Sequence, residues 1–252
     1  MRESNSVVGR VVTVLRAFSE GGAVLSLKEI AGRCDLPASS VHRLLGQLAA
    51  LGMVARAPQR RYRVGTELFL LGAQLGNKLR VIETALPFMR EVVERSEQTC
   101  LLYLHMPARR SRIMVARLDP AHPLPIRTGL LEHNSLVWGA PGRAILAHLG
   151  RAEVEASLAS APPSPLGGRP PPGRHLLLRS LAEIRARGYA VSSGEMERDA
   201  VALAVPLFAP EQQVLGDLAI AERRPRWNAL RERCAASLLG ARAAELSRAL
   251  NS

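Results

Sequence analysis

Residues 36–56 read LPASSVHRLLGQLAALGMVAR, and this stretch decides the fold of the first part of the chain. Its apolar residues recur at helical spacing and stop at Gly52, a residue type that favours the position just after a helix. Pro37 stands where the first turn of a helix tolerates a missing N–H. The stretch therefore predicts a helix over residues 38–51. Its apolar stripe consists of Val41, Leu44, Leu45, Leu48 and Leu51.

A capping pattern and a first amphipathic segment precede this helix. Ser26 and Glu29 form S-x-x-E, in which each side chain satisfies a backbone amide at the same helix start, so a short helix is predicted over residues 27–34. Residues 6–21 show apolar side chains at helical spacing. With the break at residues 35–37, the order is helix, helix, tight turn, helix, which is typical of a helix-turn-helix domain.

A basic hairpin follows the helix. Residues 53–56 and 61–64 read as short extended segments, and Pro58 and Gln59 supply a turn between them. The turn lacks Asn-Gly, so the sequence does not set its type. A hairpin in this place predicts the wing of a winged helix. Its basic residues are Arg56, Arg60, Arg61 and Arg63.

Positive charge is concentrated near the start of the chain. The formal net charge is +12, and residues 1–80 carry twelve Lys or Arg against five Asp or Glu, whereas residues 81–252 carry 22 against 17. Such a surplus indicates a polyanionic partner, because neutralising phosphates releases condensed counterions. The alternative is an arginine-rich composition with no partner behind it, since Lys28 and Lys78 are the only lysines.

The polar side of the predicted helix carries side chains that suit DNA. Ser39, Arg43 and Gln47 are four residues apart and share one face. Arginine pairs with guanine and glutamine with adenine through two hydrogen bonds each, and serine suits phosphates or base edges. An ordinary solvated helix is the alternative, and the preceding helix, the turn and the basic hairpin favour DNA over it. The predicted DNA-binding residues are Ser39, Ser40, His42, Arg43, Gln47, Arg56, Arg60, Arg61 and Arg63.

The remaining residues predict an α+β domain behind a connecting helix. The helix at residues 67–78 has an apolar stripe, which fits either a dimer contact or packing within one chain. This stripe consists of Leu68, Leu71, Leu75 and Leu79. The stretch 161–173, rich in Pro and Gly, reads as a surface loop. The other predicted helices are 85–95 behind Pro87, 141–149, 151–159, 177–187 and 227–251, and the predicted strands are 100–106, 112–118, 200–208 and 214–221.

Cysteine usage and hydropathy exclude several classes of protein. Cys34, Cys100 and Cys234 are far apart and odd in number, so neither a disulfide framework nor a zinc ribbon is predicted, and a reducing cytoplasm fits. No apolar run of signal-peptide or membrane-spanning length occurs. We therefore expect a cytoplasmic protein with no membrane partner.

Enzymatic chemistry is the least supported alternative. The sequence lacks G-x-S-x-G, P-loop, Rossmann and HExxH motifs, and its six histidines form no ligand-spaced pair. Glu195, Glu197 and Asp199 alternate as carboxylates do on one strand edge, but no nucleophile is identified beside them. We expect no enzymatic activity, no metal site and no cofactor.

Residues 26–75 closely resemble the N-terminal winged-helix domain of the IclR family of bacterial transcriptional regulators. The resemblance rests on Glu29-Ile30-Ala31, Leu36-Pro37, Ser39-Ser40-Val41-His42-Arg43-Leu44-Leu45, Leu48, Gly52, Tyr62, Gly65 and Leu71-Gly72. Two later stretches are similar to family segments: GAPGRAILAHL at 139–149, with Arg143 in the place of a lysine, and RARGYAVSSGEMERDAVALAVPLF at 185–208. The similarity therefore spans almost the whole chain.

The resemblance implies a two-domain, ligand-responsive regulator that represses or activates transcription. Its expected parts are a winged helix-turn-helix domain at residues 1–66, a linker helix at 67–84 and a C-terminal effector-binding domain of the GAF-like fold at 85–252. It also implies homodimers or homotetramers, in which paired recognition helices meet a palindromic double-stranded DNA operator. The open alternative is a ligand-sensing or oligomerising scaffold without specific operator binding.

The resemblance also nominates a site for a small-molecule effector. The implied residues are Trp138, Gly139, Ala140, Pro141, Ser192, Glu195, Asp199, Ala200, Ala202, Ala219 and Ala221. Asp199 departs from the family, where glycine is frequent. Alanine stands where cysteine, small polar residues or serines are common, namely at Ala202, Ala219 and Ala221. With few polar groups left, an apolar or aromatic effector is expected, and Arg127 is available for an anion. The alternative is that these positions are plain core and no effector binds.

Overall fold

The computed structural model describes residues 6–78, 81–126 and 128–251, with the backbone alone for residues 76–78. The chain divides into two compact units, residues 1–79 and 80–252. Each unit has its own hydrophobic core.

The first unit is a helix-turn-helix followed by a small sheet. Glu29 N donates to Ser26 Oγ at 3.2 Å and Ser26 N donates to the Glu29 carboxylate at 2.7 Å, so the predicted capping box is present. The second helix ends where Asp35 takes the left-handed conformation at φ 51°. The helices are α1 (Val7–Ser19), α2 (Leu27–Cys34), α3 (Ala38–Ala50) and α4 (Thr66–Lys78), and the strands are β1 (Val24–Ser26), β2 (Val54–Ala57) and β3 (Arg61–Val64).

The wing, residues 54–64, is a hairpin of β2 and β3 closed by a tight turn. Arg61 N donates to Pro58 O at 3.3 Å, and φ is 57° at Gln59 and 56° at Arg60. Positive φ at these two successive residues lets the chain reverse within the three residues that separate the paired Ala57 and Arg61. On its other edge β3 pairs with β1, which the sequence did not predict because three residues carry too little alternation to detect.

A compact core holds α3 against the rest of this unit. Four of the five predicted stripe residues are buried there, and Leu51 is 65% exposed. The prediction that Leu51 is buried is wrong because Leu51 is the C-cap, where the chain leaves the helix and turns through Gly52 at φ 69°. The buried residues are Val14, Ala17, Phe18, Leu25, Ile30, Val41, Leu44, Leu45, Leu48, Val54 and Tyr62.

The fourth helix leaves apolar surface uncovered within the first unit. Leu68 and Leu71 of the predicted stripe are half-buried, Leu75 is 58% exposed, and Leu79 lies outside the described residues. Phe69 is 67% exposed. Directly before this helix, the backbone at Gly65 lies against the backbone of Gly52. Glycine is required at position 65 because a Cβ there would collide with the Gly52 carbonyl oxygen.

The second unit is an antiparallel sheet between two layers of helices. Within the described residues the strand order is β6-β5-β4-β9-β8-β7, and every hydrogen-bonded pair is antiparallel. The strands are β4 (Thr99–Met106), β5 (Ser111–Leu118), β6 (His133–Ser135), β7 (Ala190–Ser193), β8 (Ala200–Phe208) and β9 (Val214–Arg223). The helices are α5 (Val81–Ser96), α6 (Gly139–Leu146), α7 (Arg151–Ala159), α8 (Arg174–Arg187) and α9 (Ala229–Leu250).

The two faces of this sheet differ in side-chain size. One face packs against α5 and α9 through larger residues such as Leu203 and Leu207. The other packs against α6, α7 and α8, and there β8 and β9 present alanines. Burial on both faces explains why β8 reads as a continuous apolar run, AVALAVPLF. The small side chains leave space between the sheet and the start of α6. The alanines of this face are Ala200, Ala202, Ala204, Ala219 and Ala221.

Several boundaries differ from those the sequence predicts. The fifth helix begins at Val81 instead of residue 85 and contains Pro87, a residue type that is better tolerated in the first turn of a helix. The sixth spans Gly139–Leu146 instead of 141–149, because it begins at the turn through Gly139 and its last carbonyls close in a short 3-10-like turn. The eighth helix begins at Arg174 instead of residue 177. It directly follows residues 161–173, which form a loop, as the sequence predicts.

Candidate functional sites

The predicted DNA-reading face of α3 is free of the core of its unit. Ser39, His42, Arg43 and Gln47 are exposed, and Ser40 is half-buried. Because Val41, Leu44, Leu45 and Leu48 occupy the opposite side, the helix is anchored while this face stays open. The geometry fits a helix that enters a groove of DNA.

The wing and α3 meet at a basic groove. Its lining residues come from α2, α3 and both wing strands, so the structure brings one predicted helix residue and three predicted wing residues together. They are Leu27, His42, Arg56, Ala57, Arg60, Arg61 and Tyr62. Arg63 is exposed on β3, paired with Ala55 of β2. A groove with this charge suits a phosphate backbone running between helix and wing.

The wing arginines differ in what they already contact. Arg61 Nη2 donates to Val24 O at 2.9 Å and pairs with Glu29 at 3.3 Å. Hydrogen bonds from Ser26, helped by Arg61, lower the pKa of Glu29, so this carboxylate stays charged and holds the guanidinium. Arg61 thus ties the wing to α2. By contrast, no hydrogen bond or ion pair to another described residue is made by Arg43, Arg56, Arg60 and Arg63.

A cavity lies in the second unit between the sheet, the start of α6 and the loop that joins β7 to β8. We call it the α6 cavity, and its volume is about 50 Å³. Six residues of the predicted effector site line it: Pro141, Ser192, Glu195, Ala200, Ala202 and Ala221. The other lining residues are Leu101, Tyr103, Arg112, Leu124, Ile126, Thr128, Gly194, Met196 and Glu197.

The remaining predicted effector residues lie around this cavity without lining it. Trp138 Nε1 donates to Pro162 O at 2.9 Å, which ties the indole to the loop 161–173. Ala219 is buried in the core. Asp199 lies in an adjoining shallow pocket with Arg117 and Arg223. Gly139 and Ala140 contribute backbone amides at the start of α6, and Arg127 lies outside the described residues.

The start of α6 is capped by side chains from the neighbouring loop and strand. Gly139 N donates to Glu195 Oε2 at 3.0 Å, and Ala140 N donates to Ser192 Oγ at 2.8 Å. Glu195 also forms an ion pair with Arg143. Gly139 has φ 77°, and a Cβ there would lie 3.0 Å from Met196 Cγ, so both conformation and space favour glycine.

The acidic residues after β7 are not on a strand, contrary to the sequence prediction. The strand ends at Ser193, and residues 194–199 form bends and turns closed by Gly194 N donating to Ala200 O at 2.9 Å. Gly194 takes φ 64°, which breaks the alternation. Glu195 consequently turns inward to α6, and Asp199 stays exposed.

Two charged residues under α6 escaped the sequence analysis. Arg112 on β5 is 1% exposed and Asp217 on β9 is 0% exposed, and both stand on the sheet face toward α6. Burial lowers the pKa of Arg112 and raises the pKa of Asp217 well above its ordinary value. Burial also raises the pKa of Tyr103 to about 12, with the Arg112 guanidinium 5.1 Å from its ring centre. The available signal was a charged residue inside the apolar part of each strand, Arg112 in SRIMVA and Asp217 in VLGDLAIA.

Other chemistries find no geometric support in the described part of the chain. Residues 6–78, 81–126 and 128–251 contain no cluster of His, Cys, Asp or Glu suited to a metal ion. No helix among them is long and apolar enough to cross a membrane. Cys34, Cys100 and Cys234 are free thiols, and burial raises the pKa of the Cys100 thiol.

Known proteins share both units. Residues 7–58 match the family described as the IclR helix-turn-helix domain, and residues 73–248 match that described as the bacterial transcriptional regulator IclR C-terminal. The HTH-type transcriptional regulator KipR of Bacillus subtilis is 26% identical over 221 residues, which cover 88% of this chain and 87% of that protein.

Solved structures share the fold. A crystal structure from Silicibacter sp. TM1040, of a chain assigned to the IclR transcriptional regulators, superposes with a TM-score of 0.85 at 24% identity, covering 98% of this chain and 97% of that one. An IclR homologue of Microbacterium hydrocarbonoxydans, complexed with 4-hydroxybenzoate, gives a TM-score of 0.76 at 24% identity, covering 97% and 99%. Identities at this level show a common fold.

The family match to the C-terminal unit alone spans well over half of the chain, and the helix-turn-helix match covers most of the first unit. The relatives are named as transcriptional regulators, which confirms the expectation of a regulator over an enzyme. A winged helix-turn-helix domain precedes an effector domain of mixed helix and sheet, as the sequence predicts. The chain belongs to the IclR family of bacterial transcriptional regulators.

Proposed function

We propose that this regulator binds a palindromic operator through α3 and the wing, and that a small molecule in the α6 cavity modulates its affinity for that operator. The proposal of DNA binding rests on one observation: α3 is anchored in the core, and its exposed face lies beside a basic groove. Arg43 and Gln47 would read bases, while Ser39, Ser40, His42, Arg56, Arg60 and Arg63 contact the backbone or groove edges. Arg61, predicted from the sequence as a DNA contact, would instead hold the wing against α2. Such a protein acts on DNA in the cytoplasm.

The proposed domain boundaries separate the DNA-binding residues from the effector-binding residues. We assign residues 1–66 to DNA binding, residues 67–84 to the linker and residues 85–252 to the effector domain. Exposed Phe69 and Leu75 on α4 support self-association, because a second copy would remove this apolar surface from water. A homodimer or homotetramer would place two copies of α3 on a two-fold axis, and that symmetry is what a palindromic operator matches.

The effector proposed for the α6 cavity has an apolar or aromatic body. The alanines of β8 and β9, with Leu101, Leu124 and Ile126, make most of the lining apolar. The homologue complexed with 4-hydroxybenzoate supports a ligand of that size class. Since about 50 Å³ holds only a few water molecules, an aromatic ring would enter as Met196 and its loop move aside.

Selection of DNA by the purified protein tests the operator proposal. A pool of random duplexes, bound and amplified over several rounds, is expected to converge on an inverted repeat whose half-sites lie one or more helical turns apart. Binding without any enriched sequence would favour the alternative, a ligand-sensing or oligomerising scaffold without specific operator recognition.

Calorimetry with the full-length protein tests the effector proposal. Heats of binding are expected with aromatic and other largely apolar metabolites. Binding confined to small oxoacids such as glyoxylate or pyruvate would contradict an apolar or aromatic effector.

A further inference from the structure

The α6 cavity contains a buried cation, Arg112, whose acidic neighbours Asp217 and Glu195 make no ion pair with it. Arg112 is 1% exposed and lines the cavity. Its Nη1 donates to Ser135 O, and its Nε has no hydrogen-bond partner. Among the described residues no carboxylate lies within ion-pair distance of the guanidinium. A buried charge in this state is strongly unfavourable unless an anion compensates it.

The other anion-binding groups at this end of the cavity are already occupied. Glu195 accepts the Gly139 amide and pairs with Arg143, and Ser192 accepts the Ala140 amide. The positive end of the α6 dipole is thus satisfied by the chain's own side chains. Arg112 is the basic side chain among the described residues that line the cavity, and its Nε has no hydrogen-bond partner.

Asp217 is the internal carboxylate that most nearly compensates Arg112. It is fully buried, and neither of its carboxylate oxygens has a hydrogen-bond partner. Burial raises the pKa of Asp217 well above its ordinary value despite the nearby guanidinium, which favours the neutral form. The Tyr103 ring, 5.1 Å from Arg112 Cζ, supplies a further but weak attraction.

The space around Arg112 is built for the guanidinium and open toward the cavity. A Cβ at Gly142 would lie 2.8 Å from Arg112 Nη1 and 2.6 Å from Leu136 O, so glycine is what lets α6 close over the guanidinium. Nη2 lies 3.6 Å from the place of a Cβ on Gly139. The cation therefore sits directly beneath the first turn of α6.

We infer that Arg112 recognises the effector, and that the effector is an organic monoanion, a carboxylate on a compact apolar body, bound through this guanidinium. The inference rests on the proposed role of the α6 cavity as the effector site. The apolar body follows from Leu101, Leu124 and Ile126 in the lining. A single negative charge matches Arg112, the one basic side chain among the described residues that line the cavity.

Matched acids and amides test this assignment on the full-length protein. Calorimetry with benzoate and benzamide, and with phenylacetate and phenylacetamide, compares ligands of one shape that differ in charge. At least one acid is expected to bind at least about 30-fold more tightly than its amide, the size of effect that follows from a buried charge-assisted pair. Arg112→Met is expected to remove that preference, and Arg112→Lys to keep part of it.

Arg242→Met is the control, because Arg242 pairs with Glu91 and Glu245 on the sheet face away from the cavity. It is expected to bind the acid as the native protein does. Should Arg112→Met fail to fold, Asp217→Asn gives a second readout: the amide keeps the neutral state inferred for the Asp217 carboxyl, so acid binding is expected to be preserved. Loss of acid binding in Asp217→Asn would overturn the assignment.

The outcomes separate the two proposals. Equal binding of acid and amide, or unchanged acid binding by Arg112→Met, would overturn the role of Arg112 and leave the cavity as an effector site. Binding of neither acid nor amide at millimolar concentration would overturn both the ligand class inferred from Arg112 and the apolar or aromatic effector proposed for the cavity.

Discussion

In the first unit Arg43, Arg56 and Arg60 lie exposed and make no hydrogen bond or ion pair with a described residue, whereas in the second unit Arg112 lies buried beneath α6 and Arg143 is held by Glu195. Water compensates the first set, and a phosphate backbone can replace that water at little desolvation cost. Arg112 is 1% exposed and no carboxylate of a described residue lies within ion-pair distance, so a small anion in the cavity would change its energy far more. Exposed arginines therefore suit binding to a long polyanion such as DNA, and a buried arginine suits binding to a small ligand with one negative charge.

The largest predicted effect is on the free energy of unfolding of the first unit. It tests whether the buried residues of α3, and not its exposed face, hold the helix in place. Leu45 is fully buried, so Leu45→Ala should lower the free energy of unfolding of the first unit by about 2–5 kcal/mol, through lost contacts and the cavity left behind. Leu51→Ala is the matched control and should change it by less than about 0.5 kcal/mol. Chemical denaturation measures both, and equal midpoints would contradict this description of the core.

Next in size is the effect of removing the base-reading arginine. Arg43→Ala should weaken binding of the selected operator by about 1–3 kcal/mol and relax the preference at one base pair, because the side chain is exposed with all donors available. Fluorescence anisotropy at one fixed salt concentration measures the change. Arg90→Ala, an exposed arginine of α5, serves as the control for loss of one positive charge.

A pH dependence distinguishes the buried charges from the exposed ones. Because burial raises the folded-state pKa of Asp217 above its unfolded value of about 3.9, the folded protein retains a proton that the unfolded chain releases. Stability contributed by this group therefore falls as pH rises between those two pKa values, by about 1.4 kcal/mol per pH unit.

Asp217→Asn cannot titrate, so its stability relative to the native protein should rise over that pH window. Denaturant unfolding at a series of pH values gives the difference curve, in which the contributions of unchanged groups such as Glu29 and Glu91 cancel. A difference that stays flat from about pH 4 upward would show that Asp217 is ionised normally in the folded protein.

The smallest effects compare two neighbouring wing arginines. Arg60→Ala should weaken binding to all duplexes alike and reduce the slope of log K against log salt by about 0.9, as the loss of one phosphate contact requires. Arg61→Ala should instead lower the stability of the first unit by about 1 kcal/mol, because Arg61 contacts Val24 O and Glu29. Salt titrations and unfolding curves that gave the two variants the same profile would remove this distinction.

The sequence predicts the first unit well for a physical reason. Helix periodicity, the Ser26 and Glu29 capping box and the exposed face of α3 depend on residues close together in the chain, so local rules suffice. The positive φ of Gln59 and Arg60 was not predictable, since neither residue is the glycine that most readily adopts it.

The α6 cavity is less predictable because it is assembled from distant segments. Six of its lining residues follow from family resemblance, but Arg112 is recognisable only when α6 closes over β5 through the gap at Gly142. Asp217 likewise becomes notable only when its strand pairs with Tyr103 in the middle of the sheet. A sequence pattern shows that a strand contains a charge, and packing decides whether water reaches it.

The most direct test of the contrast measures binding of the selected duplex and a scrambled duplex, without ligand and at one salt concentration, by the native protein, Arg43→Ala and Arg112→Met. We predict that Arg43→Ala loses affinity for the selected duplex while its affinity for the scrambled duplex changes little, and that Arg112→Met binds both duplexes as the native protein does. Unchanged discrimination by Arg43→Ala, or an equal loss of discrimination in folded Arg112→Met, would contradict the assignment of exposed arginines to DNA and the buried arginine to a small ligand.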